Sequence, residues 1–242
     1  MKRRIDQLLV DRGLFESRAR ARAAIEAGQV RAAGRVVAKP SEPVDEDVEL
    51  EAEPAHPWVG RGALKLDHAL TIWPIVVEGR AVLDIGASTG GFTEVCLARG
   101  ARRVFAVDVG RRQLHPKLAA DSRVANLEAT DARTLDIGLL GEAPELIVCD
   151  ASFIGLAKVL PAALGMAAPG ADLVALVKPQ FEAGPERVGK GGLVTDEAVH
   201  SRVLDDVRVW LEQQGWAVQA LADSPIAGGE GQREHLLWAR RP

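Results

Sequence analysis

The sequence predicts an α/β protein with a mainly parallel, doubly wound sheet, preceded by a small α+β domain. Three observations support this fold class. Short apolar runs alternate with helical segments over residues 61–242, an order typical of parallel sheets with helices on both faces. A glycine-rich turn, residues 86–91, follows the first of these runs. The charge also changes sharply, because residues 1–40 hold ten Lys or Arg against four Asp or Glu, whereas residues 41–57 hold seven acids and no Lys or Arg.

The composition limits the kinds of protein that this chain can be. The chain has 242 residues, 47% of them hydrophobic, which is enough for two domains with a sizeable core. The net charge of −4 predicts no strong non-specific attraction to nucleic acid, but it hides the basic face of residues 1–40. Cys96 and Cys149 have neither metal-site nor disulfide spacing, and their apolar surroundings indicate buried thiols. We find no signal peptide and no membrane-spanning apolar run, so we expect a cytoplasmic protein with no metal, no membrane contact and no obligate protein partner.

A short linker with two prolines and a tryptophan divides the chain into two domains. We predict an N-terminal domain over residues 1–53, a linker over residues 54–60 that two prolines stiffen, and a second domain over residues 61–242. Trp58 in the linker is expected to pack against one domain or both. Ser17 is a good N-cap for a helix. The predicted elements of the first domain are a helix closed by Gly13, a helix over residues 18–27, a hairpin around Ala33-Gly34 and a strand over residues 48–51.

Basic residues are spread over the elements of the first domain. A small rigid module that projects such residues suits contacts with RNA phosphates. A solvated basic face without a ligand is the alternative. The RNA-binding candidates are Arg4, Arg18, Arg35 and Lys39 in this domain, and Arg61, Arg133 and Lys190 in the second domain.

The stretch that organises the second domain is Ala81–Val95, AVLDIGASTGGFTEV. It predicts a buried strand over residues 81–85, a glycine-rich turn and a helix from about Gly91. Glycines let the backbone turn tightly and approach a ligand, and the helix start behind the turn offers unpaired N–H groups. Several classes of nucleotide-binding enzyme use such a turn, so the turn alone does not distinguish them.

Two carboxylates point to the cofactor. Asp108 follows the next predicted strand, 22 residues after Gly86, a spacing that suits hydrogen bonds to ribose hydroxyls. Asp84 lies on the first strand, where a carboxylate suits the cationic amino-acid end of S-adenosylmethionine (SAM) and repels a pyrophosphate. We therefore predict a Rossmann-like fold that binds SAM. A purely structural turn is the alternative, and an NAD-linked dehydrogenase fits less well because of Asp84.

Charged residues that could bind a ligand or take part in a reaction lie at or after the ends of several predicted strands. These strands cover residues 81–85, 103–107, 124–128, 145–149, 172–177, 216–222 and 234–240, with helices over residues 62–72, 155–167 and 196–214. The residues at or next to carboxyl ends are Asp84, Asp108, Asp150 and Lys178. Because those ends meet at one edge of a parallel sheet, we expect the four side chains to gather there. Glu234 starts the last strand, and it reaches the same edge if that strand is antiparallel.

Lysines beside acids at such an edge can activate a hydroxyl group. A ribose 2′-hydroxyl is a poor nucleophile until its proton is removed. A lysine removes that proton only if its pKa falls towards neutrality, which a neighbouring cation and partial burial favour. A surface ion-pair network is the alternative interpretation of Lys65, Lys178 and Glu234.

Four sequence strings resemble the motifs of the FtsJ-type ribose 2′-O-methyltransferases, which use a Lys-Asp-Lys-Glu set. The strings are GRGALKLDHAL, VCDASFI, LVKPQFEAG and GQREHLL, and they place this set at Lys65, Asp150, Lys178 and Glu234. The resemblance implies that Lys178 is the general base and that the other three residues position it and the ribose hydroxyl. The residues that we expect to contact the cofactor are Asp84, Gly86, Ala87, Ser88, Thr89, Gly90, Gly91, Phe92, Asp108, Val109, Asp131, Ala132 and Asp150.

Residues 3–51 resemble the S4 RNA-binding domain, with Ala33 where an asparagine is usual. Taken with the second domain, the whole chain resembles the TlyA family of rRNA cytidine 2′-O-methyltransferases, also called haemolysins. The resemblance implies a cytidine in ribosomal subunits as the substrate, with 23S rRNA the first candidate and 16S rRNA the second. The sequence has little before Arg4 or after Arg240, which resembles the members limited to the large subunit.

Some positions depart from the family pattern. They are His56-Pro57 in the linker, Arg111-Arg112-Gln113 after Asp108, Asp131 in place of an asparagine, and Gln232 in place of an asparagine. None of these departures falls on the four catalytic positions. Two other functions stay open at this point: a non-catalytic RNA-binding or ribosome-assembly factor, and a haemolysin-like protein that acts on membranes.

Overall fold

The structure, a computed structural model, describes residues 2–228 and 231–242. It divides into two compact units, and the division falls between Pro57 and Trp58. Each unit has a hydrophobic core of its own.

The first unit is α+β, as the sequence predicts. Its elements are β1 (Lys2–Arg4), α1 (Ile5–Asp11), α2 (Arg18–Glu26), β2 (Val30–Ala32), β3 (Arg35–Val36), β4 (Pro43–Asp45) and β5 (Leu50–Ala52). Strands β1 and β4 form one antiparallel pair, and β2 lies between β3 and β5 in a second small sheet. The apolar sides of the two helices pack into a common core with the strands, around Ile5, Leu9 and Ile25.

Local details of the first unit follow from its turn and cap residues. The Ser17 side chain accepts a hydrogen bond from the Arg20 N–H, which confirms the predicted N-cap of α2. Ala33 and Gly34 have φ values of 48° and 73° and form the two-residue hairpin turn between β2 and β3. This left-handed conformation disfavours alanine by about 1 kcal/mol, the kind of position where asparagine is usual. The strand expected over residues 48–51 lies slightly later, at β5.

The second unit is built on a seven-stranded sheet with helices on both faces. Its strands are β6 (Ala81–Ile85), β7 (Arg103–Asp108), β8 (Val124–Glu128), β9 (Leu146–Cys149), β10 (Asp172–Val177), β11 (Ala217–Asp223) and β12 (His235–Arg240). Its helices are α3 (Ala63–Ile72), α4 (Gly91–Ala98), α5 (Pro116–Ala119), α6 (Ile137–Leu140), α7 (Leu156–Val159), α8 (Pro161–Met166), α9 (Pro179–Glu182) and α10 (Glu197–Gln213). Short 3₁₀ turns cover Ala132–Thr134, Pro185–Arg187 and Lys190–Gly192.

The strand order is β11-β12-β10-β9-β6-β7-β8. Neighbours from β10 to β8 pair in parallel, whereas β12 is antiparallel to both β10 and β11. This order confirms the mainly parallel sheet, and it brings the start of β12 to the edge where the parallel strands end. Because β6 lies near the middle of the sheet, the glycine-rich turn that follows it lies near the middle of that edge.

Side-chain alternation explains why both faces of the sheet are covered. On β6, Leu83 and Ile85 pack in the cluster that holds α7, α8 and α10, while Val82 packs in the cluster that holds α3 and α4. Strand residues of period two thus build two separate hydrophobic layers. Trp58 is half-buried against the α3 and α4 side, as expected for an apolar residue at the start of this unit.

Several element boundaries in the second unit differ from the expectation, most of them by one residue. The helix expected over residues 155–167 is two helices, α7 and α8, because Pro161 lacks an N–H and starts a new helix. Asp196 is the N-cap of α10, since its side chain accepts a hydrogen bond from the Ala198 N–H. The last strand begins at His235, so Glu234 lies one residue before it. Among the helices of the described residues, none combines the length and apolar character that crossing a membrane requires.

Candidate active site

Strand ends bring distant residues together at one edge of the sheet. Asp150 directly follows β9 and Lys178 directly follows β10, and these strands are parallel neighbours. Glu234 directly precedes β12, whose His235 is paired with Val177 at the end of β10. Lys65 comes from α3, which covers the same end of the sheet. The topology therefore places two lysines and two acids side by side.

The four side chains form a buried ion-pair cluster. Lys178 Nζ lies 2.7 Å from Asp150 Oδ1. Lys65 Nζ lies 2.5 Å from Glu234 Oε2 and 3.7 Å from Asp150 Oδ1. Lys65, Lys178 and Glu234 are each at most 6% exposed, which is rare for charged residues unless they are paired. A solvated surface network does not fit this degree of burial.

Asp150 links the two lysines. Its Oδ1 lies in contact distance of both amines, although the approach of Lys178 to this atom does not have hydrogen-bond geometry. The hydrogen bonds of Lys178 Nζ go instead to Ser152 Oγ at 2.8 Å and to the Asp150 carbonyl at 3.1 Å. The carboxylate attracts the amine, while the hydroxyl and the carbonyl direct it.

Two cavities meet at this cluster. The smaller has a volume of about 300 Å³ and is lined by Lys65, Lys178 and Glu234 together with the start of α4. The larger, about 640 Å³, lies over the ends of β6 and β7 and the segment after β9. Four residues line both cavities: Gly86, Ser88, Asp150 and Ser152. The cavities are therefore adjacent, with the Lys178 side chain beside their junction.

The glycine-rich turn separates the strand end from α4 and forms one wall of both cavities. Gly86 has a φ of 79°, and a Cβ at this position would lie 2.9 Å from the Ala151 backbone. No side chain fits there without moving the segment after β9. Gly90 has a φ of 95° and faces the Leu114 and Leu118 side chains, which makes it a packing residue.

Asp108 is held by backbone groups at the end of β7. Its Oδ2 accepts a hydrogen bond from the Ser88 N–H at 2.8 Å, and its Oδ1 accepts one from the Gly110 N–H at 2.7 Å. Each oxygen keeps a second lone pair for a ligand hydroxyl. The carboxylate therefore fixes the turn and faces the larger cavity at once.

The predicted position of Asp84 needs correction. We expected its carboxylate beside the ligand, but it is fully buried beneath the turn and lines neither cavity in the described part of the chain. Strand alternation turns it towards α4, where Thr93 donates a hydrogen bond of 2.6 Å to Oδ2. Its Oδ1 has no hydrogen-bond partner among the described residues. Burial raises the pKa of Asp84 to about 7.

Most of the other predicted cofactor residues line a cavity. Ala87, Thr89, Gly91 and Phe92 line the smaller one, and Val109, Asp131 and Ala132 line the larger one. Gly90, like Asp84, lines neither of these two cavities in residues 2–228 and 231–242. Asp131 forms an ion pair of 2.6 Å with Arg133, whose hydrogen bonds lower the pKa of Asp131 to about 2.

Sequence reasoning missed two residues of the site, and both follow Asp150. Ser152 binds the amine of Lys178, and Phe153 lines the larger cavity. Phe153 is 89% exposed and has a backbone φ of 66°. The centroid of its ring lies 5.2 Å from that of Phe181, and the two rings are tilted by 47°. The position of Ser152 and Phe153 in the string ASFI, directly after a strand, could have indicated both residues, because ligands bind beyond the carboxyl ends of strands in such sheets.

A second layer of buried polar residues supports Glu234. Gln232 accepts a hydrogen bond from the Val194 N–H at 2.8 Å, so the amide that replaces the usual asparagine has a structural role. His235 Nε2 lies 2.8 Å from His200 Nδ1, and His235 Nδ1 lies 2.9 Å from Asp223 Oδ1. These contacts tie the start of β12 to α10 and β11.

The basic candidates of the first unit surround a buried acid. Asp6 is fully buried, and its carboxylate binds Arg18 at 2.8 Å and Arg4 at 3.0 Å. The hydrogen bonds of Arg4 are the main cause that lowers the pKa of Asp6 to about 2. Arg35 forms an ion pair with Glu42, and Lys39 is exposed.

The candidates of the second unit are also exposed. Arg61 lines the smaller cavity, Arg133 lines the larger one, and Lys190 lies in a 3₁₀ turn.

Comparison with known proteins identifies the family. Residues 58–241 match the FtsJ-like methyltransferase family, and residues 3–50 match the S4 domain. The chain is 46% identical over 239 residues to the 16S/23S rRNA (cytidine-2′-O)-methyltransferase TlyA of Mycobacterium tuberculosis, covering 98% of this chain and 89% of that protein. The chain belongs to the TlyA family. Hemolysin A of Brachyspira hyodysenteriae, 35% identical over 96% of this chain and 98% of its own length, is a further relative.

The TlyA fold also matches a solved structure from Streptococcus thermophilus. The TM-score is 0.78 at 40% identity, over 99% of this chain and 88% of that chain. Membership makes the protein a SAM-dependent methyltransferase, and its site fits this cofactor. Gly86 has no room for a side chain, and Asp108 offers carboxylate oxygens to the larger cavity beside it.

Proposed function

We propose that this TlyA-family methyltransferase transfers the methyl group of SAM to the 2′-hydroxyl of a cytidine in rRNA. The 23S rRNA is the first candidate and the 16S rRNA the second. The observation that carries this proposal is the Lys178 amine, 2.7 Å from Asp150 Oδ1 and adjacent to the junction of two cavities. The relative in Mycobacterium tuberculosis, whose name states this reaction, is similar over nearly the whole chain.

Lys178 is the general base in this proposal. Bound SAM would supply an electrophilic methyl group to the ribose oxygen, and its sulfur would keep the electron pair of the carbon–sulfur bond. The hydroxyl proton passes to Lys178 Nζ, which ends as an ammonium ion. General-base assistance of this kind contributes about 10²- to 10⁴-fold to a rate.

The other three residues of the cluster keep Lys178 in place. Lys65 is paired with Glu234 at 2.5 Å and lies 3.7 Å from Asp150 Oδ1, so it adds a second cation near the base. The Asp150 carboxylate attracts the amine of Lys178. Glu234 compensates the charge of Lys65.

The cofactor residues divide between the two cavities. We assign the nucleoside part of SAM to the larger cavity, where Asp108 and Asp131 offer oxygens to hydroxyl and amino groups. The reacting methyl then belongs at the junction, beside Gly86 and Asp150. Asp84 acts from beneath the turn, through Thr93 at the start of α4, and we no longer assign it a direct contact.

Each of the two units offers residues that suit contact with RNA. Arg4 and Arg18 are exposed arginines held in fixed positions by Asp6, a geometry that suits phosphate groups. Phe153 offers an exposed aromatic face at the larger cavity, and bases of single-stranded RNA stack on such faces. A ribosomal substrate implies that the protein acts in the cytoplasm.

The decisive experiment maps ribose methylation. Each purified ribosomal subunit is incubated with the protein and SAM, and 2′-O-methylated nucleotides are located in its rRNA. We expect one modified cytidine in 23S rRNA, and loss of at least about 100-fold of the rate in Lys178→Ala. Lys158→Ala, an exposed lysine on α7 outside the cluster, is the matched control. A modified base with an unmodified ribose, or full activity in Lys178→Ala, would refute the mechanism.

Two results would support other functions. Binding to ribosomal subunits without measurable SAM affinity in calorimetry would indicate an assembly factor. Leakage of dye from liposomes at protein concentrations that give no methylation would indicate the membrane activity that the name of Hemolysin A describes for that relative.

A further inference from the structure

We propose that Ser152 is a positioning residue for the amine of Lys178. This inference rests on the proposed function, in which Lys178 is the general base. Its basis is the 2.8 Å hydrogen bond between Lys178 Nζ and Ser152 Oγ, between residues 26 positions apart in sequence. Loop serines commonly bind the backbone of their own turn, so a hydrogen bond to a distant buried lysine is notable.

The geometry of the amine shows what the serine can do. Nζ has one covalent bond and three further tetrahedral directions. Ser152 Oγ and the Asp150 carbonyl take two of these directions. When Lys178 is neutral, its two N–H groups bind these two acceptors and the lone pair takes the third direction. The serine hydroxyl and the carbonyl thus decide where the lone pair points.

The Asp150 carboxylate cannot take over this role. Its Oδ1 is only 2.7 Å from Nζ, but this contact lacks hydrogen-bond geometry, and Oδ1 has no hydrogen-bond partner among the described residues. The ion pair draws the amine in without fixing its rotation about the last side-chain bond. Directional control comes from Ser152 and from a backbone group that no substitution can remove.

The place of Ser152 also fits this role. It lines both cavities, together with Gly86, Ser88 and Asp150, so its hydroxyl lies where methyl donor and ribose must meet. Phe153, the next residue, has a φ of 66°, and its ring contacts that of Phe181 in α9, the helix that directly follows Lys178. The loop that carries the hydroxyl therefore packs against the segment that carries the amine.

Removing the hydroxyl should affect the chemical step and leave binding unchanged. In Ser152→Ala the amine keeps the Asp150 carbonyl and the contact with the Asp150 carboxylate, so it stays in the site but is free to rotate. The rate at saturating SAM and RNA should therefore fall while the KM for RNA and the SAM affinity stay the same. A general loss of structure does not produce this split.

The test compares Ser152→Ala, Ser152→Thr and the wild-type chain in single-turnover methyl transfer to the ribosomal subunit that serves as substrate. For Ser152→Ala we expect a rate about 10- to 100-fold lower at saturating SAM and RNA. We expect the KM for the RNA to change by less than about twofold, because the substitution acts on the chemical step. SAM affinity by calorimetry should stay within about twofold, because the cofactor cavity keeps its other walls. Ser152→Thr keeps the hydroxyl and should restore most of the rate.

The outcomes are distinguishable from failure of the proposed function. Ser201→Ala on α10 controls for loss of an exposed hydroxyl elsewhere. An inactive Lys178→Ala together with a Ser152→Ala of normal rate would overturn the role of Ser152 alone. A Ser152→Ala whose KM or SAM affinity changes as much as its rate, or a Ser152→Thr as slow as Ser152→Ala, would also overturn it. Activity retained in Lys178→Ala would overturn the base itself and the role of Ser152 with it.

Discussion

Replacing Asp84 by asparagine should change how stability depends on pH. Asp84 is fully buried, one of its oxygens lacks a hydrogen-bond partner among the described residues, and burial raises its pKa to about 7. In the unfolded chain the carboxyl has its ordinary pKa of 3.8. The folded state therefore binds a proton more tightly than the unfolded state, and folding favours the neutral acid.

The size of the effect follows from these two values. A tenfold change in ionisation equilibrium corresponds to about 1.4 kcal/mol, so the difference between 3.8 and about 7 amounts to about 4 kcal/mol. The favourable contribution of the neutral acid is complete below pH 3.8 and is lost as the pH rises through about 7. Between pH 5 and pH 8.5 we expect Asp84 to lower the free energy of unfolding by about 3 kcal/mol.

The assay is urea unfolding of the wild-type chain and of Asp84→Asn at pH 5 and at pH 8.5. The asparagine amide adds N–H donors without partners, which costs stability equally at both pH values. The variant should therefore gain about 3 kcal/mol relative to the wild type between pH 5 and pH 8.5. Asp205→Asn on α10 removes an exposed charge and should show no such gain. An Asp84→Asn difference that is the same at both pH values would refute our account of the buried carboxyl.

Three further outcomes test other parts of the structure. Gly86→Ala places a Cβ 2.9 Å from the Ala151 backbone at a φ of 79°, so we expect a loss of about 1–3 kcal/mol in unfolding free energy and at least tenfold weaker SAM binding in calorimetry. Asp6→Asn removes the acid between Arg4 and Arg18, so filter binding should show weaker affinity for rRNA, and stability should fall by about 1–2 kcal/mol at pH 7. That stability difference should shrink as the pH falls from 3.8 towards 2, where the wild-type carboxylate itself is protonated. Phe153→Ala should reduce methyl transfer to rRNA by about 5- to 100-fold with SAM affinity unchanged, and normal transfer would remove Phe153 from the RNA surface.

Residues at strand ends were the most predictable part of the site. The alternation of strands and helices placed Asp150 and Lys178 at the carboxyl ends of parallel strands, and the structure confirms the sheet and shows that the two strands are neighbours. The start of β12 reaches the same edge because this strand is antiparallel, a condition that the sequence left open. These positions depend on the periodicity of apolar residues and on the order of strands and helices along the chain, and a sequence shows both.

Orientation within an element was less predictable. Asp84 is two residues from the turn, but the alternation of side chains directs it to α4 and away from the cavities. Ser152 was missed because its partner is 26 residues away, and no local pattern reports a hydrogen bond over that distance. Pro161 splits a helix that apolar spacing extends without a break, and the pairing of β1 with β4 joins residues about forty positions apart.

The antiparallel strand β12 also governs the time at which the site is assembled during synthesis. Glu234 binds Lys65, a partner 169 residues earlier in the chain, and β12 occupies the space between β10 and β11. A nascent chain in which only the residues up to β11 have emerged already contains both lysines and Asp150. Lys65 then lacks its carboxylate, and β10 still presents an unpaired edge. The cluster of Lys65, Asp150, Lys178 and Glu234 is therefore complete only after β12 has been made and has paired with β10 and β11, two strands that precede it in the chain.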